Sequence, residues 1–273
     1  MIEYAETRKN AIVIGGGLLG LEAAYGLKQR GMNVSVVHIM PTLMERQLDP
    51  VAAGMLRETL EEVGINFLME YGTQDIVTDE EGHVKAIRFN NGEEVPTDLV
   101  VMAVGIRPNT ELGKNAGLEC ERAIVVDDHL RTSDPSIFGV GECVQHRGIA
   151  YGLVAPLFEQ AEVCAQHLAG ESDSEYHGTQ LMTKLKVTGV NLFSAGDFTG
   201  DDDCDFLVYE DLSQSVYKKL VIKDDTLIGA VMYGETQDGS WYFDLINSKQ
   251  NIDAMRDDLI FGQAFVDAEL LTA

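Results

Sequence analysis

The chain has 273 residues, 45% of them hydrophobic, and carries 20 lysines and arginines against 45 aspartates and glutamates, a formal net charge of −25. That excess of negative charge repels a polyphosphate backbone at long range and excludes nucleic-acid binding as the function. The most apolar stretch, residues 99–104 (LVVMAV), is far too short to cross a bilayer, and no signal-peptide pattern is present. A soluble cytoplasmic protein with chain enough for two or three small domains is the expectation.

Residues 1–9 (MIEYAETRK) are polar and read as a patternless lead-in. The apolar run 11–14 has the length and branching of a buried parallel strand, and it ends on Gly15-x-Gly17-x-x-Gly20. In a dinucleotide-binding βαβ unit the first glycine makes the tight turn, the second lets backbone approach a pyrophosphate, and the third lets helix pack on strand. The helix N-terminus then offers free N–H groups to phosphate. A helix over 18–30, a left-handed cap at Gly31 and a strand over 33–39 complete the unit in about 30 residues, the length that it requires.

The acidic residue that accepts from a ribose 2′-hydroxyl belongs near the end of that second strand. Here the position holds His38, and Glu45 lies farther along, past the expected strand end. A protonated His38 suits a 2′-phosphate and a neutral one can hydrogen-bond a hydroxyl, so NADH and NADPH both stay open. An exposed strand-end histidine that touches nothing is the plain alternative.

Asp49-Pro50 reads as a helix cap and first position, followed by an apolar stripe of Val51, Met55, Leu56, Leu60 and Val63 up to Gly64, then a short strand over 65–68. From residue 71 to 95, turn pairs at Glu81-Gly82 and Asn91-Gly92 separate strand-like runs, the pattern of an antiparallel meander. Residues 99–104 return to a buried strand that ends at Gly105, where backbone can approach a ligand. Two more strands are expected over 123–126 and 137–140, then a helix over 151–168 with Leu153, Leu157, Ala161, Cys164 and Leu168 on one apolar face. Residues 170–178 are polar and read as a linker. Strand-like runs at 206–209, 216–222 and 227–233, with helical segments near 241–246 and 252–259, form a closing α+β module.

The four cysteines (120, 143, 164, 204) are too widely spaced for a redox pair or a metal cluster, so buried free thiols are expected; the six histidines fall into no metal-ligand spacing.

These motifs together resemble those of the pyridine-nucleotide-dependent flavoprotein oxidoreductases. The span from Gly15 to Glu22 is similar to that family's NAD(P) motif, the span from Ala103 to Asn109 (AVGIRPN) to its A-x-G-x-R-P-N segment, and the span from Thr132 to Glu142 to its second flavin motif, which usually ends in Gly-Asp. Within the family the chain resembles the assimilatory NAD(P)H nitrite reductase branch, through VVHIMPTLMERQLD (36–49), GECVQHRGIAYGLVAPLFEQA (141–161), TKLKVTGVNLFSAGDF (183–198) and VYKKLVIKDDTLIGAVMYG (216–234). That branch resembles the chain at His38 and Glu142, where the chain departs from the wider family.

The resemblance implies an α/β fold: a Rossmann-like NAD(P)-binding domain with a meander (1–118), the C-terminal half of a split FAD-binding domain (119–170) and a C-terminal α+β module (180–265). It implies NAD(P)H and FAD as cofactors, with an incomplete FAD site, because family members carry a first FAD-binding unit ahead of this region. It likewise implies iron–sulfur and sirohaem modules, or a chain supplying them, as partners, and a homo-oligomer is possible. Strand 137–140 would then lack partners and expose an apolar edge. The residues so implied are Gly15, Gly17 and Gly20 at the pyrophosphate, Glu22 in the first helical turn on the nicotinamide side, and His38 at the ribose. Gly105 would line the channel between nicotinamide and flavin, and Gly141 and Glu142 would face the FAD pyrophosphate and ribityl chain. The plain reading of Glu142 is a carboxylate at a helix start. Function is then electron input from NAD(P)H to FAD in a nitrite reductase, inactive toward nitrite alone; a subunit of a split flavoprotein and a silent NAD(P)-binding module are the alternatives.

Overall fold

The computed structural model describes residues 2–170, 174–187 and 189–266. The chain gathers into two compact units, one of residues 1–104 with 181–273 and one of residues 105–180.

The first unit begins with α1 (Ile2–Thr7) rather than a patternless lead-in: Ala5 is buried in the core, and that anchor holds a helix that periodicity over so few residues does not reveal. Then follow β1 (Asn10–Ile14), α2 (Leu18–Lys28), β2 (Asn33–His38), α3 (Pro50–Glu62), β3 (Ile65–Met69), β4 (Thr73–Thr78), β5 (Val84–Phe89), β6 (Glu94–Pro96) and β7 (Leu99–Met102). Four of these strands form a parallel sheet in the order β3-β2-β1-β7. β4, β5 and β6 form the expected antiparallel meander.

β1 shows why its apolar run is unbroken. Ala11 and Val13 pack with Leu21, Ala24 and Leu27 of α2, while Ile12 and Ile14 pack with Ile87 and Phe89 of the meander, so both faces of the strand are covered. β7, at the edge of the sheet, is only half-buried, unlike the buried strand expected.

Asp49 caps α3 as its spacing predicts, accepting the Ala52 N–H at 3.0 Å, with Pro50 at the first position. The face turned inward is Ala52, Ala53, Leu56 and Leu60, whereas Val51 and Val63 are exposed. A stripe counted from bulky residues overlooks the alanines, which let the helix sit close to its neighbours.

The chain returns to this unit as β10 (Met182–Val187), β11 (Val190–Gly196), β12 (Asp205–Asp211), β13 (Val216–Lys223) and β14 (Thr226–Tyr233), an antiparallel sheet in the order β10-β11-β14-β13-β12. The first two strands run through sequence in which lysines and small residues blur the alternation. α6 (Gly239–Ser248) covers one face, where Tyr242, Leu245 and Ile246 pack on Phe193, Leu220 and Met232. From the other face Leu192, Tyr217, Val231 and Tyr233 join the same core as α2 and α3. Over 252–259 two 3-10 turns, Asp253–Met255 and Leu259–Phe261, replace the expected helix. The Ile252 N–H donates to the Asp225 carbonyl, which ties the segment to a strand turn and interrupts helical bonding.

The second unit contains α4 (Glu111–Asn115), β8 (Ile124–Val126), β9 (Val144–His146) and α5 (Val154–Leu168). β8 pairs in parallel with β9, and residues 137–140 are not the second strand. Instead Thr132, Asp134 and Pro135 fold the chain locally: the Thr132 hydroxyl donates to the carbonyls of Asp134 and Ile137, and Asp134 accepts the Ser136 N–H. Arg131 and Phe138 form a single antiparallel bridge, so 137–140 is not a strand, while Ile137 and Val140 are exposed as expected. α5 turns Pro156, Gln160 and Cys164 inward, while Leu153, Ala161 and Leu168 of the expected face are exposed. The reason is that Gln160 and Cys164 have partners inside this unit, a backbone amide and an apolar cluster respectively. Of the expected linker, residues 171–173 lie outside the described residues. Its remainder is held down, with the Tyr176 N–H donating to the Asp128 carbonyl and the Tyr176 ring buried.

Cys120, Cys143, Cys164 and Cys204 are all free; Cys164 and Cys204 are buried and the other two are half-exposed, so the expectation of burial holds for two of them. Among the described residues no helix is long and apolar enough to cross a membrane.

Candidate functional site

The glycine turn of the first unit is held from three sides. The Gly15 N–H donates to the Val37 carbonyl of β2 at 2.8 Å, the Gly16 N–H donates to Nδ1 of His38 at 3.1 Å, and the Gly16 carbonyl accepts the Met44 N–H at 3.1 Å. Gly15 has φ +116°, and a Cβ there would run into the Ala103 carbonyl; a Cβ on Gly20 would run into the Gly15 carbonyl. These two positions demand glycine for the turn and for the close approach of α2 to β1. Gly17 differs, since a Cβ there would meet nothing within 4 Å. It is the N-cap of α2 in extended conformation and makes no side-chain cap. The N–H groups of Leu18, Leu19 and Gly20 stand in the first turn, where a helix has no internal acceptor for them.

The space beyond this turn is bordered by apolar groups. Leu19, Ile39, Met40, Met102 and Val104, at the carboxyl ends of β2 and β7 and at the start of α2, are all exposed large side chains. The carboxyl edge of a parallel sheet is where ligands of such folds sit, and an uncovered apolar rim there suits the flat face of a ring.

Glu22 is exposed and lies one residue beyond the first turn of α2, not within it. His38 is not an idle exposed side chain: it is 8% exposed, and its Nε2 lies 3.1 Å from Oε2 of Glu45. Sequence spacing separated those two residues, and the structure joins them.

In the second unit Gly105 has φ +84° and open space around it. Four residues on, Asn109 accepts the Glu111 N–H and so opens α4. Gly141 also has positive φ, +98°, and its N–H donates to Oε1 of Gln160 at 3.1 Å. Gln160 is 1% exposed and has no sequence signal beyond its place on the buried side of α5. Glu142 is exposed in the turn that leads into β9; α5 starts twelve residues later, which removes the helix-start reading of its carboxylate.

Sequence reading also missed a charged network in this unit. Asp128 accepts from His146 Nε2 at 2.7 Å and from Arg147 at 3.0 and 2.7 Å. Arg147 and then His146 hold the Asp128 carboxyl down, at about 2. A basin of about 660 Å³ is lined there by Glu121, Asp127, Asp128, Arg147 and Glu175. Four carboxylates around one guanidinium repel a pyrophosphate, so this is not the dinucleotide site. Two surface groups, Asp79 with Glu81 and His83 and Asp128 with Glu175 and His177, bring three metal-type ligands together. In the second group the Asp128 oxygens already serve Arg147 and His146.

Residues 1–167 match the family model described as pyridine nucleotide-disulphide oxidoreductase, and residues 182–250 match the rubredoxin NAD+ reductase C-terminal domain. The chain is 48% identical over 92% of its length to a Bacillus subtilis nitrite reductase [NAD(P)H], of which it covers 31%. It is 40% identical over 95% of its length to the assimilatory nitrate reductase electron transfer subunit of the same organism, of which it covers 34%. It thus spans about a third of the length of these curated relatives. Among solved structures it is similar to a ferredoxin reductase from Rhodopseudomonas palustris, with TM-score 0.85, 24% identity, and 99% of this chain and 66% of that one covered. A NAD-dependent persulfide reductase from A. fulgidus gives TM-score 0.78 at 27% identity, with 94% of this chain and 52% of that one covered.

Proposed function

The chain belongs to the pyridine nucleotide-disulphide oxidoreductase family, and on that premise we propose that it is the segment of a nitrite reductase-type enzyme that takes electrons from NAD(P)H to FAD. The observation that carries this reading is the glycine turn: Gly15 and Gly20 are required by backbone contacts, a side chain at Gly17 would meet nothing within 4 Å, and the first-turn N–H groups of α2 have no acceptor within the helix. That arrangement fits a pyrophosphate, with Gly15, Gly17 and Gly20 shaping the cradle and Glu22 bordering the nicotinamide side.

Gly105 is assigned to the channel between nicotinamide and flavin, and Gly141 and Glu142 to the flavin's pyrophosphate and ribityl chain. Gly141 and Glu142 offer an open glycine and an exposed carboxylate that can accept from ribityl hydroxyls. Gln160 already holds the Gly141 N–H, so that donor is not open to a flavin phosphate. Bound here, the two cofactors would supply hydride and single-electron chemistry. The residues of this chain bind and orient those groups. Reduction of nitrite is assigned to iron–sulfur and sirohaem modules, and this segment by itself is expected to be inactive toward nitrite. A cytoplasmic setting agrees with four free cysteines.

The match to a nitrate reductase electron transfer subunit supports a second reading, in which the same electron input serves a separate reductase chain. Calorimetric titration of the chain with NADH, NADPH and FAD tests the first step common to both. A reduced nicotinamide dinucleotide is expected to bind without FAD. Absence of heat for either one, with native circular dichroism, overturns the site at Gly15–Gly20. Binding with no electron transfer to any added flavin or acceptor leaves a silent nucleotide-binding module.

A further inference from the structure

We infer that His38 and Glu45 act as a unit that selects a dinucleotide with a free 2′-hydroxyl, NADH, over one with a 2′-phosphate. The inference rests on the nucleotide site proposed above.

His38 is the last residue of β2, beside the glycine turn. Its Nδ1 accepts the Gly16 N–H, so that ring nitrogen carries a lone pair and the ring hydrogen sits on Nε2. Nε2 can therefore donate to Glu45, whose Oε2 is 3.1 Å away. Both ring nitrogens are spent within the protein, and the ring is too buried to offer a third contact.

Glu45 comes back to the strand end because the residues before it are pinned. Leu43 and Met44 are each 1% exposed, Met44 has φ +51°, and the Met44 N–H donates to the Gly16 carbonyl. The reversal places a carboxylate seven residues downstream at the end of β2, where an acidic side chain accepts from a ribose 2′-hydroxyl in this type of fold. The Glu45 side chain is 34% exposed, and with Oε2 on His38 its other oxygen is free to accept from a hydroxyl. A 2′-phosphate brought to the same place would face a carboxylate. His38 cannot answer as a cation without loss of the turn, since a protonated ring has two donors and Gly16 would then meet N–H with N–H. The one nearby cation in sequence, Arg46, is exposed.

The test is calorimetric titration of NADH and NADPH into the whole chain, for the wild type and for Glu45→Gln and Arg46→Ala. Wild type is expected to bind NADH about tenfold or more tighter than NADPH, the size expected for one hydrogen bond to a carboxylate gained or lost. Glu45→Gln is expected to bring the two affinities to within about threefold, with NADPH unchanged or improved. Arg46→Ala is expected to leave the ratio as in wild type. Equal affinities in wild type, or a ratio untouched by Glu45→Gln, overturn the inference while the site stands. Failure of wild type to bind either nucleotide overturns the site reading itself. Competition by ADP and by 2′,5′-ADP on the wild type gives the same ratio without any variant, and preference for 2′,5′-ADP overturns the selection.

Discussion

Tyr217 donates its phenol hydrogen to Oδ2 of Asp49 at 2.6 Å, across 168 positions of sequence, while Oδ1 of the same carboxylate caps α3. One aspartate thus starts a helix of the parallel layer and anchors a strand of the C-terminal sheet, which shares its core with α2 and α3. Burial, then the Asp49 carboxylate, push the Tyr217 phenol up, so it stays a donor. Tyr217→Phe leaves a buried carboxylate short of one donor and is expected to cost about 2 kcal/mol in urea unfolding. An unchanged midpoint would show that this hydrogen bond adds nothing to the join between the two layers.

The three motif glycines are expected to separate by role. Gly20→Ala forces a Cβ against the Gly15 carbonyl, and Gly15→Ala adds strain at φ +116°, so each destabilises the fold by about 2–3 kcal/mol. Gly17→Ala meets open space and changes stability by less than about 0.5 kcal/mol. It is nevertheless expected to weaken NADH binding about tenfold or more, because the added methyl would stand in the proposed path of the pyrophosphate. Thermal melts paired with calorimetry separate these outcomes; normal NADH affinity in Gly17→Ala would remove the pyrophosphate from that position.

Asp224 and Asp225 join β13 to β14 in a two-residue turn, with φ +49° and +52°. Both residues lie in the left-handed region, where Asn-Gly is the favoured pair. The double change Asp224→Asn with Asp225→Gly is expected to stabilise the chain by about 1 kcal/mol, read as a raised urea midpoint. A lowered midpoint would mean that the aspartates serve a contact beyond the turn.

The Asp128 network gives a pH signature. Its carboxyl is held at about 2, below the ordinary carboxylate value near 3.8, by Arg147 first and His146 next. The ionised form is favoured in the folded state, so its stabilisation is full above about pH 4 and is lost as pH falls from there toward 2. Asp128→Asn is expected to lower the melting temperature by a constant amount from pH 7 to pH 5, with the gap to wild type closing below pH 4. A gap that persists unchanged down to pH 3 would assign the effect to shape, not charge.

The strand, glycine turn and helix at the start of the chain were legible because each step has a local cause: a run covered on both faces, a turn that only glycine makes, and a cap that follows. The Asp49-Pro50 cap and the meander turns are of the same kind. Residues 137–140 misled because an apolar run beside Gly141 looks like a strand, while Thr132 and Asp134 had already committed that backbone to side-chain hydrogen bonds. The α5 face misled because Gln160 is polar yet buried, its carbonyl oxygen held by the Gly141 N–H.

By itself the sequence determined the elements whose hydrogen bonds close within a few residues, together with the places where a side chain is forbidden. It therefore marked Gly15 and Gly20, where backbone leaves no room for a Cβ, and with Gly17 a spacing that suits a pyrophosphate. Only the tertiary structure decided what stands at the end of β2, because the His38–Glu45 contact depends on Leu43 and Met44 being buried and on Met44 turning the backbone back. It likewise decided that the C-terminal sheet shares a core with the parallel layer, through Tyr217 and Tyr233, since packing between elements far apart in sequence leaves no periodic trace in either one.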